Sequence, residues 1–270
     1  MGAPLQPHTV APGTLYLVPT PLDFGLQPDP AHRLTAVLPE QTLAVASRLT
    51  HWIAENAKTT RAFLKRVEVS HGLAAPVQAH NIRELPRSVH KKGDHAPDAG
   101  HEVQAREWLA PAVAGHDMGL ISEAGMPAIA DPGSAVVRAA HALGLPVVPL
   151  TGPISLMLAL AASGLNGQNF AFVGYVPQEA TERSKRLREL EALALKTGQT
   201  QIIIETPYRN AALLQALLQN LQASTRLAVA CALSLPQQVV HSARVSDWRH
   251  QPARHRQLPL DAPVVFLLGR

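Results

Sequence analysis

Three glutamates each close an apolar run of strand length. Glu55 follows His51-Trp52-Ile53-Ala54, Glu123 follows Gly119–Ser122, and Glu205 follows Thr200–Ile204. Ligands of α/β proteins sit outside the carboxyl ends of strands. Three acids in equivalent places therefore make a candidate site. A carboxylate there can cap or pair structurally, or it can take a proton from a substrate hydroxyl. For any single glutamate the two roles weigh evenly, and the set of three favours a site. Arg209 lies four residues after Glu205, so it can pair with Glu205 or hold a substrate anion.

The elements that must position these acids are legible. Thr14–Val18 reads as a strand stopped by Pro19-Thr20-Pro21, because proline cannot continue the ladder. Helical spacing covers Leu38–Leu49, Lys58–Val67 and Glu102–Val113, and Val77–Ala79 reads as a short strand. From Gly119 to Leu156 the chain reads strand, glycine turn, second turn, helix, strand, turn, helix. Gly144 is placed as a C′ glycine. Ile154–Ser163 is apolar nearly all round and is expected to be a buried helix. Glu179–Leu195 reads as an amphipathic helix with Leu187, Leu190 and Leu193 inward and a Glu182–Arg186 pair. Leu227–Leu233, Val239–Ala243 and Pro263–Leu268 read as strands. Strand and helix alternate in the first half, which argues a parallel sheet. Consecutive strands in the second half argue a mixed one. The expected organisation is a disordered lead over 1–12, an N-terminal α/β domain over 13–151 and a C-terminal α/β domain over 152–270.

Other chemistries lack their residues. No phosphate-binding G-x-G-x-x-G or G-x-x-x-x-G-K-[ST] is present, and no nucleophile elbow. Thirteen histidines and one cysteine form no zinc spacing, so no metal is expected. Cys231 lies in an apolar strand and reads as a buried, inert thiol. One cysteine allows no intrachain disulfide. With no signal peptide legible, a cytoplasmic protein is expected. No run is long enough to span a membrane. The net charge of +4 and pI of about 9.5 suit a polyanionic partner without establishing one. The polar segment 86–101 reads as a solvated loop.

The short motifs, taken in order, resemble those of the tetrapyrrole methylase superfamily, and more narrowly the branch of ribosomal RNA small subunit methyltransferase I. Gly13–Pro21 resembles the opening strand. Ala54–Thr60 stands where that branch has A-E-D-T-R-x-T, and His80-Asn81 matches its H-N pair. Ile121–Pro127 matches V-S-D-A-G-T-P, and Asp131-Pro132-Gly133 matches D-P-G. Pro149–Pro153 matches P-L-P-G-P, Gly174–Pro177 resembles G-F-L-P, and Glu205–Arg209 resembles E-S-T-H-R. The chain departs from the branch at Leu22-Asp23-Phe24, where I-G-N is usual. It departs again at Ala230–Leu235, where A-R-E-L-T-K is usual.

The resemblance implies two α/β domains with S-adenosylmethionine in a cleft between them, commonly in a homodimer. It implies cofactor contacts at Pro19, Gly125, Met126, Ile129, Ser155, Leu156 and Val176. It also implies substrate contacts at His80, Asn81 and Arg209. The expected reaction is in-line methyl transfer to an unidentified acceptor, with the ribose 2′-hydroxyl of rRNA implied by the resemblance. Glu55, Glu123 and Glu205 are the candidate general bases. The alternative is a degenerate member that binds S-adenosylmethionine or a partner without turnover.

Overall fold

The computed structural model describes residues 11–23, 34–86, 99–251 and 257–270. They divide into two compact units, ending at Pro153 and starting at Ile154. Residues 1–10 of the expected lead over 1–12 and most of the polar segment 86–101 lie outside the described residues.

The first unit is a five-stranded sheet in which every pairing is parallel. Its strands are β1 (Leu15–Val18), β2 (His51–Ala54), β3 (Asn81–Glu84), β4 (Met118–Ile121) and β5 (Val147–Pro149), in the order β3-β2-β4-β1-β5. Two helices cover one face: α1 (Glu40–Arg48) and α2 (Ala57–His71). They bury Leu43, Phe63, Leu64 and Val67 against Val18, Trp52 and Ile121. The other face packs under α3 (Ala99–Trp108), α4 (Ala110–Val113) and α5 (Ser134–Ala142), where Leu109, Val136 and Ala140 meet Leu15, Ile53 and Leu120. Burial on both faces is why these strands read as apolar runs rather than alternations.

Strand order sets the site. After β1 the chain crosses to β2 on the far side of β4, and after β4 it crosses to β5 on the far side of β1. The neighbouring strands β1 and β4 thus send their connections in opposite directions and to opposite faces of the sheet, and their carboxyl ends form a switch point of the kind where α/β sheets bind ligands.

Val77–Ala79 is a 3-10 turn rather than a strand, and β3 starts only at Asn81. Pro76 opens that turn, and the backbone bonds of Ala79 and His80 return to Pro76 and Val77, so none is left for a ladder. On β4, Gly119 lies beside Trp52, and a Cβ at Gly119 would fall 2.4 Å from the indole ring. The buried ring cannot retreat, because its Nε1–H donates to His80 Nδ1. Gly119→Ala should therefore cost about 1–3 kcal/mol through overpacking, read as a lower midpoint in urea unfolding. An unchanged midpoint would show that the indole shifts freely.

The second unit is a mixed sheet of β6 (Phe170–Gly174), β7 (Thr200–Ile204), β8 (Arg226–Cys231), β9 (Val239–Arg244) and β10 (Val264–Gly269), in the order β6-β7-β10-β8-β9. Only β6–β7 is parallel. One face is buried under α7 (Ala180–Thr197), α8 (Asn210–Asn220) and α9 (Val245–His250), with Leu187, Leu217, Phe266 and Trp248 at its centre. On the other face α6 (Ser155–Ser163) packs on β8, β9 and β10.

Three expectations change here. Helix α6 is not buried all round: Leu156, Ala159 and Leu160 face the sheet, while Met157 and Leu158 stay 37% and 41% exposed. Its uniform apolarity gave no period by which to tell the two sides apart. Leu193 on α7 is 42% exposed, because Leu187, Leu190, Glu191 and Ala194 take the inward stripe. Arg186 pairs with Glu189 at 3.5 Å rather than with Glu182, whose backbone N–H is instead capped by Glu179.

Candidate functional site

The loops after β1 and β4 are tied together at the switch point. Thr20 and Gly125 exchange both backbone hydrogen bonds, at 2.9 and 3.1 Å. Gly125 takes φ 84°, and a Cβ there would come within 3.1 Å of Leu22. The loop then passes through Ala128 at φ 64° and Ala130 at φ 63° before Gly133 at φ 139°. A left-handed alanine costs about 1–2 kcal/mol, so this path is held against local preference. Such strain concentrates at functional sites.

Glu55 and Glu123 meet on this rim. Glu123 N–H donates to Glu55 Oε2 at 3.0 Å, and Glu55 N–H donates to Ile121 O. The Glu123 carboxylate accepts no hydrogen bond among the described residues, whereas Glu55 is already engaged. Two further acids share the rim. Glu84, opposite Ala54 in the ladder, accepts from Ala57 N–H at 2.6 Å, at the start of α2. Asp131 is pushed up to about 7 by burial first and by the charge of Glu55 second, against a hydrogen bond from Ser122. Asp131 reads in sequence as part of a turn, and only its neighbours in space mark it out.

An ion pair adjoins this rim: Asp23, after β1, pairs with Arg66 of α2 at 2.7 Å. Both line a cavity of ≈ 10 Å³ with Phe63, Ser122 and Glu123, room for about one water. The pair spans 43 residues, so spacing could not reveal it.

The remaining predicted residues lie elsewhere. His80 is buried with both ring nitrogens used, accepting from Trp52 and donating to Ala75 O at 3.0 Å. Asn81 pairs with His51 at the amino ends of β3 and β2, the rim opposite Glu55. Glu205 is in the second unit, with its side chain 5% exposed. Its Oε1 accepts from Thr206 N–H and from Arg209 Nη2 at 2.6 Å. Arg209 also donates to Thr206 Oγ1 and lies over the Tyr208 ring. Of the two roles open to Arg209, the structure displays the pairing. Glu205 Oε1 is thereby committed to Arg209 and to the backbone of Thr206.

Of the residues assigned to the cofactor, Pro19, Gly125, Met126 and Ile129 flank the switch point. Pro19 is packed so closely on Gly152 that a Cβ there would fall 2.3 Å from its ring. Ser155 and Leu156 open α6, and Val176 belongs to the core of the second unit. Cys231 is buried, and burial pushes its thiol up to about 12.

The rim suits one kind of ligand. Glu55, Glu84, Glu123 and Asp131 would repel a phosphate and favour a cation. Among the described residues no acidic or histidine cluster converges closely enough for a metal. An organic cation approached by backbone groups fits the glycine turn and the carboxyls, and a sulfonium with an α-ammonium meets that description.

The sequence pattern of the tetrapyrrole (corrin/porphyrin) methylases matches residues 42–248. This chain belongs to that family. A ribosomal RNA small subunit methyltransferase I from Pseudomonas aeruginosa is 31% identical over 242 residues, covering 87% of this chain and 73% of that protein. The Xylella fastidiosa protein of the same name is 33% identical over 66% of this chain, which spans 55% of its length. Among solved structures, the methyltransferase CobJ superposes with a TM-score of 0.54 at 18% identity, covering 96% of this chain and 94% of its own. A uroporphyrin-III-C-methyltransferase from Thermus thermophilus gives 0.50 at 18% identity, covering 95% and 94%. These structures share the two-sheet α/β fold. The tetrapyrrole methylase chain described here is an enzyme of the S-adenosylmethionine-dependent methyltransferase class.

Proposed function

We propose that the chain methylates a hydroxyl of RNA, with Glu123 as the proton acceptor and the ribose 2′-hydroxyl of rRNA as the favoured target. One observation carries the hydroxyl chemistry: at the switch point Glu123 presents a carboxylate with no hydrogen bond among the described residues, on a backbone fixed by Glu55. The names of the relatives support RNA as the acceptor.

S-adenosylmethionine, when bound, supplies a methyl group already activated on a sulfonium sulfur. Pro19, Gly125, Met126, Ile129, Ser155, Leu156 and Val176 are the residues proposed to hold it. The protein's work is to align the acceptor, exclude water and take the hydroxyl proton. Glu55 fixes Glu123 through the backbone, and Asp131, pushed up to about 7, adds less negative charge to the rim than an ordinary aspartate. His80 and Asn81 remain proposed for acceptor contact only through the opposite rim, and Arg209 only through groups Glu205 leaves free. The same reading includes a homodimer, supported by exposed Met157, Leu158, Phe170 and Phe172, and a cytoplasmic location. No helix among the described residues is long and apolar enough to cross a membrane.

A second reading, binding without turnover, has its own observation. Ala230–Leu235, the end of β8 and the turn after it, is uncharged, with Ala232 at φ 50° and Ser234 at φ 64°, where the branch carries Arg, Glu and Lys. Calorimetric titration with S-adenosylmethionine, then labelled-methyl transfer to rRNA, total RNA and tetrapyrroles, separates the readings. Saturable binding with label in RNA is expected. Binding with no label in any acceptor favours the second reading, label in tetrapyrrole alone overturns RNA, and no binding of S-adenosylmethionine overturns the enzyme reading.

A further inference from the structure

Helix α2 begins two residues after Glu55, with Asn56 as its N-cap accepting from Lys58 and Thr59 N–H. Lys58, Arg61 and Lys65 follow at i, i+3 and i+7, on one exposed face. Among the described residues none of the three has an ion pair, and Arg61 reaches only the carbonyl of Ala57, at 3.5 Å. Other cations are committed: Arg66 to Asp23, Arg48 to Asp117, Arg209 to Glu205. Helix α7 is the contrast. Of its clustered Arg183, Lys185, Arg186 and Arg188, three are engaged: Arg183 with Gln178 O, Arg186 with Glu189 and Arg188 with Asn220.

Placement makes the α2 stripe informative. The amino end of a helix is its positive end, where acidic residues stabilise and cations cost about 0.3–1 kcal/mol each. The first turn of α2 carries no acid, and Lys58 is its second residue. Local stability therefore argues against Lys58 where it stands, and an external anion would reverse the sign. The stripe ends at Glu68, so it is confined to the half of α2 nearest the Glu55–Glu123 rim.

We propose that Lys58, Arg61 and Lys65 form a docking stripe for the sugar-phosphate backbone of a single-stranded RNA segment, running away from the switch point along α2. This rests on the RNA-acceptor reading and names the surface that would serve it. Seven residues of helix span about 10 Å, a length over which three cations can meet a few consecutive phosphates of one strand. The acidic rim takes the cationic ligand, and the adjacent basic stripe takes the anionic strand.

The test is fluorescence anisotropy of a labelled single-stranded RNA with the full chain, titrated over roughly 50 to 200 mM salt. Each phosphate contact on a single strand contributes about 0.7 to the slope of log affinity against log salt. K58A/R61A/K65A should lower that slope by about 2, and should bind about 100-fold more weakly near 0.1 M salt, converging with wild type near 1 M. Binding of S-adenosylhomocysteine should be unchanged, and the melting temperature equal or slightly higher, because Lys58 leaves the positive helix end. K185A/R188A on α7 should leave the slope as it was. An unchanged slope in the α2 variant, or an equal loss in the α7 variant, overturns the stripe and leaves the methyl-transfer reading to its own screen. Wild-type binding to anionic phosphatidylserine vesicles but not to RNA also overturns it.

Discussion

Asp131→Asn is expected to be more stable than wild type at pH 7 and above, by up to about 4 kcal/mol, and to match it near pH 3. In the folded chain, burial and the charge of Glu55 hold Asp131 at about 7. In the unfolded chain it returns to the ordinary aspartate range near 3.9. Between those values the unfolded state has released the proton and the folded state still binds it. Stability therefore falls as pH rises. The contribution is fully present below the unfolded value and lost by the time the pH passes the folded one. Asparagine keeps the neutral shape and has no proton to release, so its curve lacks this descent. The proton is shared with a Glu55 field only one loop away, so the measured step belongs to the pair. Urea unfolding at several pH values from about 3 to 8 reads the difference directly. A gap between the variants that does not change with pH would show that Asp131 ionises normally.

That aspartate also shows where the sequence stops being legible. The strand ends are readable because Pro19, Gly125 and the polar residues after each apolar run punctuate the ladder locally. Glu55 and Glu123 were therefore findable, and their convergence follows from parallel pairing of β2 with β4. What spacing cannot supply is which end of a strand faces the ligand. His80 and Asn81 carry a matching motif yet sit at the amino rim, three ladder positions from Glu84, which shares the rim with Glu55. Glu84 itself looks like an ordinary exposed strand residue. Asp131 looks like a turn, and Asp23 and Arg66 meet only after two elements have folded between them. Glu205 closes its strand by the same local rule, but its pairing with Arg209 is a side-chain contact that position alone does not reveal. Helix α6 defeats pattern reading differently: alanine and leucine on every side leave no contrast between core and surface.

Glu123→Gln is expected to slow methyl transfer by about 10²- to 10⁴-fold, the range of a lost general base, with S-adenosylmethionine binding nearly unchanged. Glutamine keeps the side chain's length and removes its ability to accept the hydroxyl proton. Glu55→Gln should do less. Its amide oxygen can still accept the Glu123 N–H seen at 3.0 Å, so the loop stays anchored while one charge leaves the rim. Glu55→Ala removes the anchor as well and should approach the Glu123→Gln loss, because a misplaced acceptor forfeits the alignment on which transfer depends. Glu205→Gln should leave the rate within about threefold and act mainly on stability, since a hydrogen bond to a charged partner is worth about 1.5–3 kcal/mol. The order of the four single-turnover rates, measured on the acceptor that takes label, decides the assignment. If Glu205→Gln falls furthest, the base lies in the second unit. If Glu123→Gln retains its rate while Glu55→Gln loses it, the two rim glutamates exchange roles, with Glu55 accepting the proton and Glu123 shaping the loop around it.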